Sequence, residues 1–247
     1  MERCCENKTR QPLNRIAKKS SVQKQNPTID HVTNVDAYMS YGKFITFEGS
    51  EGSGKSTHSR KLYTYLKRKG LPVIHIREPG GTKVGEQIRR ILLDPANKMM
   101  NPVCEMLLYM AARRELVESV IRPALRQNKI IICDRFLDST RAYQGFGLGV
   151  DSEFIERVGL TATAGIAPGL TVFLDVAAKT GLKRTGAVKD RIEKRPLSYH
   201  QRVRQGYLKL AQREPKRIKI VKVNKDKSAT QAAIRNTVWD FINREDR

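Results

Sequence analysis

The stretch Lys43-Phe-Ile-Thr-Phe-Glu-Gly-Ser-Glu-Gly-Ser-Gly-Lys-Ser-Thr57 decides how this chain is read. Phe44-Ile45-Thr46-Phe47 is a short apolar, β-prone run. It feeds a loop in which Gly49 to Ser56 match G-x-x-x-x-G-K-[ST] without a mismatch. Glycines let successive backbone N–H groups turn inward around phosphates, and the N-terminus of the following helix adds partial positive charge. Gly49, Ser50, Glu51, Gly52, Ser53, Gly54, Lys55, Ser56 and Thr57 are therefore the expected triphosphate-binding residues. Lys55 would reach the outer phosphates, and the Ser56 hydroxyl would ligate Mg²⁺.

Outward from the loop, strands and helices alternate. Lys43–Glu48 predicts a buried strand and Lys55–Lys69 a helix ended by Gly70. Pro72–Arg77 is the second strand, and Glu78-Pro79-Gly80-Gly81 must be a loop. Val84–Leu93 is helical. Asn101-Pro102 opens a longer helix that bends or restarts near Pro123. Ile130–Cys133 is a continuous apolar run, as expected of a strand covered on both faces. Further helices are expected at 151–160, just before 183, at 197–213 and at 230–242, with strands at 170–174 and 218–223. This pattern predicts an α/β fold, a five-stranded parallel sheet with helices on both faces. Ligands then bind at the carboxyl ends of the strands.

Composition bounds the rest. At 247 residues the chain is one large domain or a domain with an appendage. Residues 1–40 are polar and aperiodic and are read as a disordered extension; 41–247 form the domain. Met39 is an alternative start, and Glu2, Glu6, Asp30 and Asp36 argue against a transit peptide. No apolar run is long enough to span a membrane, and no secretory signal is visible. The four cysteines show neither metal spacing nor a disulfide framework; Cys104 and Cys133 lie in apolar patterns, where a buried free thiol is the default. A reducing cytosol is the expected setting. The formal charge of +22 raises a nucleic-acid reading, but no nucleic-acid module is present, so such binding is expected to be at most weak and nonspecific.

Two further motifs lie at strand ends. Asp134 directly follows the third apolar strand, where it either holds Mg²⁺ through water or positions Arg135. It begins Asp134-Arg-Phe-Leu-Asp-Ser-Thr-Arg-Ala-Tyr-Gln-Gly145. The other is Arg77-Glu-Pro-Gly-Gly-Thr82. Together with Gly49–Thr57 these resemble the bacterial-type thymidylate kinases over about residues 41–245. The resemblance implies the P-loop nucleoside monophosphate kinase fold, transfer of the γ-phosphoryl of ATP to dTMP, Mg²⁺ as cofactor and a homodimer. The acceptor phosphate is itself the nucleophile, so positioning and charge neutralisation suffice.

Residue by residue, the resemblance points Glu51 at the acceptor sugar and places Arg77 and Glu78 beside its pocket. Arg89 and Arg135 would clamp the dTMP phosphate as guanidinium forks. Tyr109 would stack on thymine and Arg113 donate to a base carbonyl; the two are four apart on one helix face. Thr140 and Gln144 would meet the base edge, with Tyr143 against the sugar and Ser139 adjacent. Residues 183–195 resemble a mobile lid over ATP. Arg191 fits the family pattern for its catalytic cation best, with Arg184 and Lys189 as rivals. Lys55, Arg135, Arg191 and Asp134 are thus the expected catalytic set. A kinase of another nucleoside monophosphate is the alternative, and a nucleic-acid-binding P-loop protein a more distant one.

Overall fold

A computed structural model of the chain describes residues 43–187 and 189–243. The extension at 1–40, the alternative start at Met39 and one residue of the expected lid, Val188, lie outside the described residues. Five parallel strands, β1 (Phe44–Glu48), β2 (Val73–Arg77), β3 (Ile130–Asp134), β4 (Leu170–Asp175) and β5 (Ile218–Lys222), form one sheet in the order β2-β3-β1-β4-β5. The order reverses direction at β1, so a crevice opens beyond its carboxyl end, where ligands of such sheets bind.

Alternation along the strands sends side chains to two cores. Ile45, Phe47, Ile130, Ile132, Val172 and Leu174 pack under α1 (Lys55–Arg68) and, at the far end of the chain, the helix Lys227–Ile242. Phe44, Ile131 and Cys133 face the other way, toward α3 (Pro102–Leu116) and the helices beyond it. Between these come α2 (Lys83–Leu93), capped by Thr82 through its side chain, and a 3₁₀ turn at Pro95–Asn97. Asn101 caps α3, with Pro102 in its first turn, as the sequence indicates. The expected bend near Pro123 is realised just ahead of it as a π-type turn at Val117–Ile121, after which α4 (Arg122–Arg126) resumes. Proline has no N–H to give the preceding turn, and the wider turn absorbs that loss.

The remaining helices are α5 (Leu137–Thr140), running into a π-type segment at Arg141–Gly147, α6 (Ser152–Thr163), α7 (Ala178–Leu182), α8 (Leu197–Arg213) and α9 (Lys227–Ile242). A third apolar cluster joins α8 to β4 and the π-type segment through Phe173, Tyr199, Val203 and Tyr207. The expectation for Cys104 is corrected: it is exposed, whereas Cys133 is buried. Cys104 lies in the first turn of α3, whose buried face is formed instead by Glu105, Met106, Met110, Ala112, Arg113 and Leu116. Part of the positive charge gathers in the valley between α1 and α9, lined by Arg60, Lys61, Arg68 and Arg235 with no acid among the lining side chains.

Contact between α8 and the π-type segment depends on missing side chains. A Cβ built on Gly206 would lie 2.7 Å from the Phe146 ring, and one on Gly147 would lie 2.6 Å from the Tyr199 ring. Gly206→Ala should therefore destabilise the protein by about 1–3 kcal/mol through overpacking, despite alanine's better helix propensity. An unchanged or raised denaturation midpoint in urea would show that this contact is looser than described.

Candidate active site

The phosphate loop owes its shape to three glycines in left-handed or otherwise glycine-favoured conformations, Gly49 (φ 148°), Gly52 (φ 66°) and Gly54 (φ 87°). Gly52 also needs its missing Cβ for room, because one built there would lie 1.9 Å from the Gly181 carbonyl oxygen on α7. Lys55 is buried, and its Nζ donates to the Ser50 carbonyl at 3.0 Å. Burial and then the neighbouring Arg135 push its ammonium down to about 8, with Glu51 and Asp134 pulling the other way. Two cations, the buried Lys55 and the partly buried Arg135, thus stand side by side at the loop, an arrangement that favours a polyanion.

Ser56 Oγ donates to Asp134 Oδ2 at 2.5 Å, so the end of β3 meets the start of α1. Asp134 Oδ1 is buried without a hydrogen-bond partner. A hard cation would satisfy that oxygen, and the Ser56–Asp134 pair fits Mg²⁺ in this respect. No group of three or more His, Cys, Asp or Glu with metal-site geometry occurs among the described residues. An ion held here would take its remaining ligands from phosphate oxygens and water.

Arg135 occupies the left-handed region at φ 72°, uncommon for a side chain this large. Its backbone N donates to the Phe47 carbonyl at 3.0 Å, which fixes the turn off β3 to β1. The guanidinium then reaches across the crevice. Nη2 donates to Glu51 Oε1 at 3.0 Å and to the Tyr143 hydroxyl at 2.9 Å; Nη1 donates to the Gly49 carbonyl and Ser139 Oγ, each at 3.1 Å. Tyr143 in turn donates to Glu51 Oε1 at 2.7 Å. Burial alone would raise the Glu51 carboxyl, but Arg135 and Lys55 hold it down at about 2. Glu51 is thus a fixed negative charge between the triphosphate loop and the space beyond Arg135.

That space is a cleft lined by Glu51, Glu78, Pro79, Arg89, Leu93, Tyr109, Arg135, Ser139, Thr140, Tyr143, Gln144, Asp190 and Ile192. It gathers nine of the eleven residues assigned to the acceptor from sequence. Arg113 lies behind the lining, almost wholly buried. Its Nε donates to Glu78 Oε2 at 2.8 Å, and its Nη1 to Thr140 Oγ1 at 3.1 Å. Arg77 is not brought in: its guanidinium is half exposed and paired with Glu86 at 3.0 Å. Arg89 donates to the Pro79 carbonyl at 3.0 Å and has no carboxylate partner among the described residues. Tyr109 lines the cleft, with its hydroxyl pushed up by burial.

Arg191 is placed away from the phosphate loop. It is buried, 2.6 Å from Glu105, and its Nε donates to the Leu92 carbonyl at 2.7 Å. Arg184 lies just beyond α7, its backbone N donating to the Gly181 carbonyl. Sequence reasoning missed Pro79, Leu93, Asp190 and Ile192 as lining, and Glu48 and Tyr207 as supports. Glu48 is fully buried at the end of β1 and accepts from Phe136 N (2.7 Å), Ser139 Oγ (2.6 Å) and Tyr207 OH (2.8 Å). An acid closing an otherwise apolar strand was a legible signal for it; Tyr207, 159 residues further on, carried none.

Comparison with known proteins gives the family. The thymidylate kinase family model matches residues 47–234. A thymidylate kinase of Symbiobacterium thermophilum is 47% identical over 205 residues, covering 83% of this chain and 96% of the relative. One from Geotalea daltonii is 46% identical over 211 residues, 82% of this chain and 99% of the relative. The crystal structure of thymidylate kinase from Ehrlichia chaffeensis superimposes with a TM-score of 0.66 at 33% identity, covering 80% of this chain and 98% of that one. The chain belongs to the thymidylate kinase family. Its five-stranded sheet is accordingly the P-loop nucleoside monophosphate kinase fold.

The buried acids make stability depend on pH. Burial pushes the Glu78 carboxyl up to about 7 although Arg113 opposes it, and its Oε1 is buried without a partner. A carboxyl raised in the folded state contributes stability that is fully present below its unfolded pKa of about 4.5. That stability is lost as pH rises through about 7. Glu78→Gln should therefore flatten the fall in denaturation midpoint between about pH 5 and about pH 8. A variant curve as steep as that of the parent protein would contradict this reading of Glu78.

Proposed function

We propose that Lys55, Arg135 and the residues around the cleft carry out phosphorylation of dTMP by ATP, the reaction of the thymidylate kinases, on the route to dTTP. The observation that carries the assignment is the Arg135–Glu51 pair at 3.0 Å, which separates a triphosphate loop on one side from an acceptor cleft on the other. ATP occupies Gly49–Thr57, with Lys55 at the outer phosphates. The dTMP phosphate lies between Arg135 and the carboxylate-free Arg89, whose forks suit a phosphate better than lysine does. Arg77 assists only if it leaves Glu86. Tyr109 stacks on the base, Thr140 and Gln144 face its edge, and Arg113 supports Thr140 from behind. Tyr143 and Glu51 hold the sugar side.

Thymidylate kinases use ATP with Mg²⁺, and Ser56 with Asp134 would hold the ion here, where it would neutralise charge on the β- and γ-phosphates. No general base is required, because the acceptor phosphate is ionised at neutral pH. The cation at the transferring phosphoryl comes from the segment 183–195. Arg191 serves only by leaving Glu105, whereas Arg184 begins beside α7 and the phosphate loop. A homodimer is supported by exposed Ile91 on α2 and Val103 and Leu107 on α3. No helix of the described residues is long and apolar enough to cross a membrane, and free thiols at Cys104 and Cys133 suit a reducing cytoplasm. Any nucleic-acid binding is weak and nonspecific, drawn from the basic valley between α1 and α9.

A panel of nucleoside monophosphates assayed with ATP and Mg²⁺ should give dTMP the highest kcat/KM; a better acceptor of another base would overturn the specificity. Glu51→Ala should raise KM for dTMP more than for ATP, and the reverse would return Glu51 to the triphosphate side alone. Among Arg184→Ala, Lys189→Ala and Arg191→Ala, one should lower kcat by roughly 10³-fold or more, as arginine fingers do. If all three stay within a few-fold, the segment is not catalytic.

A further inference from the structure

Glu105 is a carboxylate that none of the roles above uses, and it is completely buried. It lies in the first turn of α3, beneath the cleft rather than on its surface. Three side chains from two distant segments converge on it. Gln144 Nε2 donates to Oε1 at 2.8 Å, Arg195 Nη2 donates to Oε2 at 2.5 Å, and Arg191 Nη1 lies 2.6 Å from Oε2. A charge buried this deeply is costly unless paired and hydrogen-bonded, so each contact is strongly enforced.

The consequence falls on Gln144. A primary amide is symmetric in shape but opposite in sense at its two ends, an acceptor oxygen and a donor NH₂. A carboxylate between two guanidinium groups only accepts, so the amide must turn its Nε2 toward Glu105. Its Oε1 is thereby left to the cleft that Gln144 lines, and no donor of the described residues reaches it. Gln144 thus turns its amide oxygen, an acceptor, to whatever base edge enters and cannot exchange it for the NH₂ group, whose second hydrogen stays beside that oxygen.

We propose that Glu105 is a specificity-determining positioning residue, which locks the Gln144 amide in the orientation that admits a pyrimidine with an N–H at ring position 3 and rejects one with a bare nitrogen there. The inference rests on the reading of the cleft as the nucleoside monophosphate site. Thymine and uracil carry that N–H; cytosine carries a lone pair, which would face the Oε1 lone pairs. Mismatching a buried hydrogen-bonding group discriminates more strongly than shape does. The same carboxylate holds Arg191 and Arg195, which flank Ile192 of the cleft wall, so base reading and the end of the 183–195 segment share one anchor.

The test compares kcat/KM for dTMP, dUMP and dCMP in the parent protein, Glu105→Gln and Glu105→Asp. Glu105→Gln lets the facing amide pair in either sense, so Gln144 can turn its NH₂ to cytosine. The dTMP-to-dCMP ratio should fall at least about 10-fold, while the dTMP-to-dUMP ratio stays within about 3-fold. Glu105→Asp keeps a negative charge in the pocket but is one methylene too short for the Gln144 amide, so it serves if Glu105→Gln does not fold, and it should shift the same ratio. In a Gln144→Ala background, Glu105→Asp should have no further effect on that ratio. Equal loss on all three acceptors, or an unchanged dTMP-to-dCMP ratio in a folded variant, would reduce Glu105 to a structural role. A parent protein that does not prefer dTMP would instead overturn the reading of the cleft itself.

Discussion

The ion pair between Arg135 and Glu51 is where the two halves of the site meet, and much of the surrounding structure exists to hold it. Glu51 belongs to the loop after β1 and Arg135 to the turn after β3, neighbouring strands in register from Phe44–Ile131 to Phe47–Asp134. That register brings the two turns side by side, and the Arg135 N–H on the Phe47 carbonyl fixes their separation. Beneath them Glu48 ties Phe136, Ser139 and Tyr207 into the same corner. Arg135 is held at φ 72° by contacts on every side, which is how an uncommon backbone conformation persists at a functional site.

The concentration of buried charge has a cost. Glu48 and Glu78 are both pushed up to about 7 by burial, and Lys55 is pushed down to about 8. In each case the folded protein disfavours the charged form. On the proposed assignment, phosphate oxygens of the substrates would add opposite charge beside Lys55, Arg89 and Arg135 and so reverse part of this for Lys55. Under that assignment, stability given up in the free protein would return as binding and positioning, as expected for a catalyst that works by preorganised electrostatics.

The sequence made the sheet and its main helices legible because those elements announce themselves locally. The apolar runs at Ile130–Cys133 and Leu170–Leu174, the glycines of the loop and the Asn101-Pro102 cap needed no tertiary knowledge. The site was legible where it follows strand ends: Glu51, Glu78, Asp134 and Arg135 all lie there. It was less legible on helices. Cys104 and Glu105 are adjacent, yet the acid is the buried one and the thiol the exposed one, because Arg191 and Arg195, some ninety residues later, supply its partners. Arg77 and Arg191 illustrate the same limit. Their positions fit the family pattern, but Glu86 and Glu105 decide where the guanidinium groups point.

The central claim is that Arg135 faces the acceptor while resting on the triphosphate loop through Glu51. Arg135→Lys tests it most directly, because lysine keeps the charge but loses the fork that spans Glu51, Tyr143 and a phosphate. With ADP affinity measured by titration and dTMP turnover measured in parallel, kcat/KM for dTMP should fall about 100-fold or more while ADP binding changes by less than about 3-fold. Turnover within a few-fold of the parent protein, or a loss of ADP affinity as large as the loss of dTMP turnover, would contradict the account.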